Sequence, residues 1–232
     1  LQYFGGKKRI SKQLCEFLNK QTNKQFEYYF EPFVGSCAII ENIEHPIRYG
    51  NDANKYLIEM YKALQHGWIP PCLITEEEYK YLKSNKDIDK KLSGFAGIAC
   101  SYSGKWFDTY ARNKSGRNYA LNAHNTLLKS LPKIQKIVFS SRLYQDCHPK
   151  DALIYCDPPY SNVGNGYCID TFDSDEFWEI IREWSKNNKV FISEYIAPDD
   201  FECVLEIETR TDLRNKEGKM IPRTERVFTL TQ

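Results

Sequence analysis

The run Leu153-Ile-Tyr-Cys-Asp-Pro-Pro-Tyr-Ser-Asn162 opens as a buried strand and ends on an acid, two prolines and an aromatic ring. A short apolar run ended by turn residues reads as a strand covered on both faces, the kind that builds parallel sheets. Proline fixes its own φ and drives the residue before it toward extended backbone, so Asp157 and Pro158 are both restricted. Neither Pro158 nor Pro159 carries an N–H, and the loop therefore projects acceptors only. These are the Asp157 carboxylate and the carbonyls of Asp157 and Pro158. In open α/β sheets, ligands bind beyond the carboxyl ends of strands, where loops supply polar groups without disturbing the core. An acceptor-only loop there suits an exocyclic amine, with Tyr160 stacking on the ring that bears it. An ordinary strand-ending turn fits the same four residues equally well.

Upstream, the chain keeps a strand and helix rhythm. Ile10, Leu14, Phe17 and Leu18 recur at helical spacing, Phe26 to Phe33 reads as a strand, and Cys37 to Ile43 as a short apolar helix after Gly35-Ser36. Pro46 to Asn51 reads as a second strand, followed by a helix over 53–66 with Leu57, Ile58, Tyr61 and Leu64 inward and Gly67 as its stop. Past residue 68 the character changes: Pro70-Pro71 interrupts, Thr75-x-x-Glu78 offers a capping box, and a polar helix leads into a Gly, Ser, Tyr and Arg-rich stretch over 94–120. Residues 69–131 therefore read as an insertion between two parts of one sheet domain, 1–68 and 132–232. Leu127, Leu128 and Leu131 return a helical pattern, and Lys136 to Phe139 and Ala152 to Cys156 resume the parallel sheet. Asp173 caps a helix with Phe177, Ile180, Ile181 and Trp184 on one face, and Val190 to Ser193 adds a strand. Cys203 to Thr209 and Arg226 to Leu230 alternate around Glu217-Gly218 as an antiparallel hairpin. The expected class is α/β: an open, Rossmann-like sheet with a terminal hairpin and an inserted, mainly helical segment.

A chain of 232 residues with 41% hydrophobic content buries a full core, and its net charge of +1 neither announces nor excludes a nucleic-acid partner. Eight cysteines without a Cys-x-x-Cys pair, and four histidines without ligand spacing, point to reduced thiols and no structural metal. No stretch approaches the roughly 20 apolar residues of a membrane span, and the opening residues lack an apolar signal core. The expectation is a soluble, cytoplasmic protein.

Two further motifs bear on the strand-end loop. In Glu31-Pro-Phe-Val-Gly-Ser-Cys37 a glycine follows a strand, which lets backbone approach a ligand closely. Asp52, at the end of the next strand, suits ribose hydroxyls at about the spacing found in dinucleotide folds, and suits a helix cap too. In Tyr3-Phe-Gly-Gly-Lys7, paired glycines could cradle a ligand beside a lysine donor, or form a flexible terminus; the spacing is not that of a P-loop.

Taken in order, Phe4-Gly-Gly-Lys7, Glu31-Pro-Phe-Val-Gly35, Asn51-Asp52 and Asp157-Pro-Pro-Tyr160 resemble the Dam-type (D12 class) DNA adenine-N6 methyltransferases nearly end to end. The resemblance implies a Rossmann-like S-adenosylmethionine-dependent methyltransferase domain with a target-recognition insertion before the Asp-Pro-Pro-Tyr loop. It implies that Tyr3, Lys7, Phe33, Gly35 and Asp52 contact S-adenosylmethionine, and that Asp157, Pro158 and Tyr160 hold a flipped adenine, with Asp157 reaching both ligands. Where the family often has a second glycine this chain has Cys37, which bears on how closely backbone approaches the cofactor.

Such an enzyme works on double-stranded DNA, with no membrane and no metal, and must extrude its base. The stretch from Lys105 to Tyr119 interleaves Lys105, Arg112, Lys114 and Arg117 with aromatic residues, including Tyr119, against the single acid Asp108. That mixture suits phosphates and bases, and a solvated, turn-rich loop with a few core rings is the plainer reading. Three alternatives remain: a cytosine-C5 enzyme using Cys72 of Pro71-Cys72 as nucleophile, an enzyme acting on RNA or a protein glutamine, and a catalytically decayed DNA-binding module.

Overall fold

The computed structural model describes residues 1–22, 25–112, 116–159, 172–214 and 220–231, with backbone alone at 209–214 and 220–223. Strands within them are β1 (Tyr28–Glu31), β2 (Arg48–Asn51), β3 (Ile137–Ser140), β4 (Ala152–Cys156), β5 (Lys189–Glu194), β6 (Phe201–Arg214) and β7 (Met220–Leu230). They form one sheet in the order β3-β2-β1-β4-β5-β7-β6. The first five strands run parallel, while β7 is antiparallel to both β5 and β6. The chain winds outward from β1 to β3, then returns to lay β4 against the other side of β1. This reversal opens a crevice at the carboxyl ends of β1 and β4, the place where open α/β sheets take ligands.

Side-chain alternation along each strand feeds two cores. Tyr29, Leu153, Tyr155 and Phe191 join Leu14 and Leu18 of helix α1 (Ser11–Gln21) and Leu57 and Leu64 of helix α2 (Lys55–Gln65) on one face. Phe30, Ile154, Cys156 and Ile192 pack on the other face against Phe177, Trp178, Ile181 and Trp184 of a later helix, Ser174–Ser185. Each such side chain contributes about 1.5–3 kcal/mol by leaving water. Between β2 and β3 lie α3 (Glu76–Ser84), α4 (Lys90–Ala99) and α5 (Tyr119–Ile134), and the Ser174–Ser185 helix is α6. No described helix is long and apolar enough to cross a membrane.

The local stop and start signals behave as their chemistry requires. Thr75 and Glu78 exchange both bonds of a capping box on α3, and the Asp173 carboxylate accepts from the first turn of α6. Elsewhere the structure departs from expectation. The segment Cys37 to Ile43 is not a regular helix but holds one 3₁₀ turn, Ile40–Asn42, because Cys37 sits at φ 60°, outside the right-handed helical region. Helix α2 starts at Lys55 with Asn54 as its cap, accepting from the N–H groups of Tyr56 and Leu57, which frees Asp52 for other work. Helix α4 extends into the Gly, Ser, Tyr and Arg-rich stretch as far as Ala99.

Its glycines are there for close approach. A Cβ at Gly94 would stand 2.1 Å from the backbone oxygen of Tyr56 in α2, and one at Gly97 would meet the rings of Phe107 and Trp106. Glycine weakens a helix by about 1 kcal/mol, and here the contact between α4 and α2 outweighs that cost. Gly94→Ala should therefore destabilise the protein by about 3 kcal/mol or more in urea melts, by overpacking against backbone that cannot yield. Gly67→Ala, with φ 88° and no atom within 4 Å, should lose only about 1–2 kcal/mol.

Candidate active site

A cleft of about 670 Å³, partly open to solvent, occupies the crevice where β1 and β4 end. Tyr3, Lys7, Phe33, Gly35, Asp52 and Asp157 all border it. These six residues come from four separate stretches of chain, and parallel packing of β2, β1 and β4 brings their strand ends to one edge.

The amino-terminal turn is held from two sides. Gly6 N–H donates to the Tyr3 carbonyl at 3.0 Å, with Gly5 at φ 72°. Phe4 N–H donates to the Gly104 carbonyl at 3.1 Å, and the Lys105 ammonium lies 5.0 Å from the centroid of the Phe4 ring. A Cβ at Gly104 would fall 2.8 Å from the Gln2 carbonyl oxygen, so only glycine lets this turn seat so closely. The Tyr3 ring covers Gly35, since a Cβ there would lie 3.2 Å from Tyr3 Cε1.

Asp52 ties two strand ends together. Its Oδ2 accepts from Gly35 N–H at 3.0 Å and its Oδ1 from Asn54 N–H at 2.9 Å. Tyr61 hydroxyl donates to the Gly35 carbonyl at 2.9 Å, fixing the glycine from its other side. Burial pushes the Asp52 carboxyl up to about 6, against the pull of the two N–H donors. Nearby, Cys37 holds the left-handed backbone that a glycine would supply, with its side chain buried in the core. Burial also pushes its thiol well up. The neighbours Ser36 and Ala38 face the cleft, so the cysteine does not obstruct it.

On the opposite wall, Lys7 Nζ stands 2.8 Å from Asp157 Oδ1 and 3.6 Å from Glu225 Oε2. Lys7 is 6% exposed, which makes this pairing largely screened from water. Burial raises the Asp157 carboxyl, the Lys7 ammonium lowers it, and Glu225 raises it again. Two further acids stand close. Glu31 is buried, takes a 2.7 Å hydrogen bond from Tyr29 hydroxyl and is pushed well up by burial. Glu194 is pushed up to about 8 by burial and by Asp157, and its Oε2 has no hydrogen-bond partner.

Glu31, Glu194 and Glu225 were not singled out from sequence as site residues. Glu31 heads a quoted motif and Glu194 ends a strand, so both carried a positional signal. Glu225 carried none, because its place depends on the register of an antiparallel hairpin.

Other sequence candidates fall differently. Pro158 is buried, and it is Pro159 that borders the cleft. Tyr160 and Lys114 lie outside the described residues, as does the Glu217-Gly218 turn. Arg112 pairs with Glu76, the Arg117 guanidinium lies 5.1 Å from the Tyr119 ring centroid, and Lys105 sits over Phe4. The aromatics between them are core, which corrects the idea that they are presented with the charges: Phe107 is buried and Trp106 stacks on Tyr56 at 5.4 Å. Cys72 is exposed, 3.6 Å from His124 Nδ1, and is not among the residues bordering the cleft.

Residues 3–96 match the model of the D12 class N6 adenine-specific DNA methyltransferases. The chain is 24% identical over 178 residues to the Retron Ec67 DNA adenine methylase of Escherichia coli, a match covering 65% of this chain and 61% of that protein. A solved structure from Pyrococcus horikoshii, named as an RNA methyltransferase, aligns over 96% of this chain and 83% of its own, with a TM-score of 0.47 and 7% identity, a loose likeness only. The matched family segment carries the Tyr3 to Lys7, Glu31 to Gly35 and Asn51-Asp52 motifs, and the acid-Pro-Pro loop beyond it meets that segment directly through Lys7 and Asp157. Residues 3–96 are thus similar to the D12 class N6 adenine-specific DNA methyltransferases, a likeness that covers less than half of the chain.

Proposed function

We propose that this protein is a site-specific DNA methyltransferase that transfers a methyl group from S-adenosylmethionine to the N6 amine of an adenine flipped out of double-stranded DNA. The observation that carries the reading is the contact of Lys7 with Asp157, which sets a motif of the family segment and an acceptor-only loop on one cleft.

The residues present fit the cofactor. At the cleft, the Tyr3 ring, the Gly35 backbone and the Asp52 carboxylate offer stacking, close approach and hydroxyl recognition. When bound, S-adenosylmethionine supplies an electrophilic methyl on a sulfonium that departs as a neutral thioether. The protein's share is to bind and orient. Asp157 accepts one N–H of the amine, and a proline-locked carbonyl accepts the other, which localises the nitrogen lone pair and aims it. Lys7 fixes the position of the Asp157 carboxylate. Tyr160 is proposed to stack on the extruded ring.

Residues 69–131 are proposed as the target-recognition segment, with Lys105, Arg112, Lys114, Arg117 and Tyr119 meeting DNA. The charged side chains rather than the packed rings would make the phosphate contacts. A cytosine-C5 mechanism is disfavoured because Cys72 is not among the residues bordering the cleft.

The direct test is labelled methyl transfer to unmodified genomic DNA followed by mapping of modified bases, with label expected on adenine within one short motif. Asp157→Ala should lower kcat by about 10²–10³-fold or more while leaving DNA binding measurable. Equal turnover in this variant would remove the assignment.

Affinity for S-adenosylmethionine should fall as pH drops through about 6, where Asp52 takes up a proton and loses acceptor charge. Asp52→Asn should abolish that dependence and weaken binding about tenfold or more at pH 8, as read by calorimetry. The same shift has a stability consequence. A carboxyl raised from 3.8 to about 6 favours the folded state fully below 3.8, an advantage lost as pH rises through 6.

DNA binding should weaken steeply with salt. Arg112→Ala and Arg117→Ala should each reduce the slope of log K against log salt by about one, with cofactor affinity unchanged. Unaltered slopes in both would show that the segment does not face DNA.

A further inference from the structure

We propose that Glu225 is a positioning residue for the reaction: it holds the Lys7 ammonium between two carboxylates and thereby leaves the charge of Asp157 available to the substrate amine. This rests on the reading of Asp157 as the amine acceptor.

Strand β7 runs antiparallel to β5 with Arg226 opposite Glu194. Glu225 is therefore carried past the last residue of β5, to the same sheet edge from which Asp157 emerges beyond β4. Lys7 Nζ is 2.8 Å from Asp157 and 3.6 Å from Glu225, with side chains 5%, 22% and 13% exposed respectively. At such burial the three charges act on one another through a medium far less screening than water.

An ammonium matched to one carboxylate forms a neutral pair, and a substrate N–H then meets little net field. Shared with Glu225, the same ammonium leaves a net negative charge at the cleft. The other groups facing Asp157 do not cancel it. Burial raises Glu31 and Glu194 toward their neutral forms at pH 7, and it keeps the Tyr155 hydroxyl and the Cys156 thiol protonated. Among the described residues, Lys7, Asp157 and Glu225 are thus the charged groups set together at this edge.

Glu225→Gln preserves shape and removes charge. In this variant kcat should fall about tenfold, the equivalent of one pKa unit of charge interaction, while KM for S-adenosylmethionine changes by less than about threefold. The acid limb of the kcat profile should move to lower pH, because Asp157 would face Lys7 without the opposing carboxylate. Glu225→Asp should restore most of kcat. An unchanged kcat and acid limb in a Glu225→Gln protein that melts as the wild type does would overturn the proposal, since a purely structural role predicts that result.

A measurement on the unaltered protein covers the case in which the variants do not fold. NMR of the protein labelled with ¹⁵N at lysine and ¹³C at carboxyl carbons should show the Lys7 ammonium in through-space contact with both the Asp157 and the Glu225 carboxylates, and contact with Asp157 alone would refute the arrangement. Should the wild type transfer no methyl to any DNA, the methyltransferase reading falls, while the measured contacts of Lys7 still decide for or against Glu225.

Discussion

A lysine that is 6% exposed needs a counter-charge, and in this protein the counter-charge lies about 150 residues away in the chain. Removing one member of such a buried pair strands the other in a medium that solvates it poorly, at a cost of several kcal/mol. The Lys7 to Asp157 contact is thus a constraint on the fold before it is a feature of the site. It requires that the amino-terminal turn dock where β4 ends, and it fixes the direction in which the acid-Pro-Pro loop leaves the sheet.

The sheet makes that docking geometrically available. Because the winding reverses between β1 and β4, the elements that follow those strands pack on opposite faces, Ile40 in one core and α6 in the other, and polar side chains can stand at the strand ends between them. Asp52 then binds the Gly35 loop to the end of β2 through two backbone donors. The wall on that side is therefore built from main chain, whose position does not depend on a rotamer. On the other side the wall is built from charge, whose balance depends on three strands at once.

Much of this was legible in the sequence, and the division follows from the range of the forces involved. Strand ends, the Thr75 and Asp173 caps and the cleft-lining positions Tyr3, Lys7, Phe33, Gly35, Asp52 and Asp157 are set by local chemistry: backbone restriction at proline, freedom at glycine, short polar side chains at helix starts. What escaped was set by contacts across the fold. Gly94 and Gly97 stand in a Gly, Ser, Tyr and Arg-rich stretch, and what justifies them in a helix is the proximity of Tyr56 and Phe107. For Trp106 and Phe107 the sequence left two readings, rings that meet DNA and core rings, because nothing nearby shows the core that receives them. Cys37 marks no helix start because its φ is positive. Glu225 stood in an alternating strand like many exposed acids, and only the pairing of β7 with β5 makes it a neighbour of Lys7.

The hydrogen bond from Phe4 to the Gly104 carbonyl joins the turn carrying Tyr3 and Lys7 to the chain that runs into Lys105 and Arg112. The two regions are not mechanically independent. The turn at 102–105 is thereby seated against the turn that carries the ring above Gly35 and the ammonium beside Asp157. If the proposed contact of this segment with DNA holds, any coupling carried by the bond is reciprocal: occupancy of the cleft and grip on the duplex change each other by the same factor.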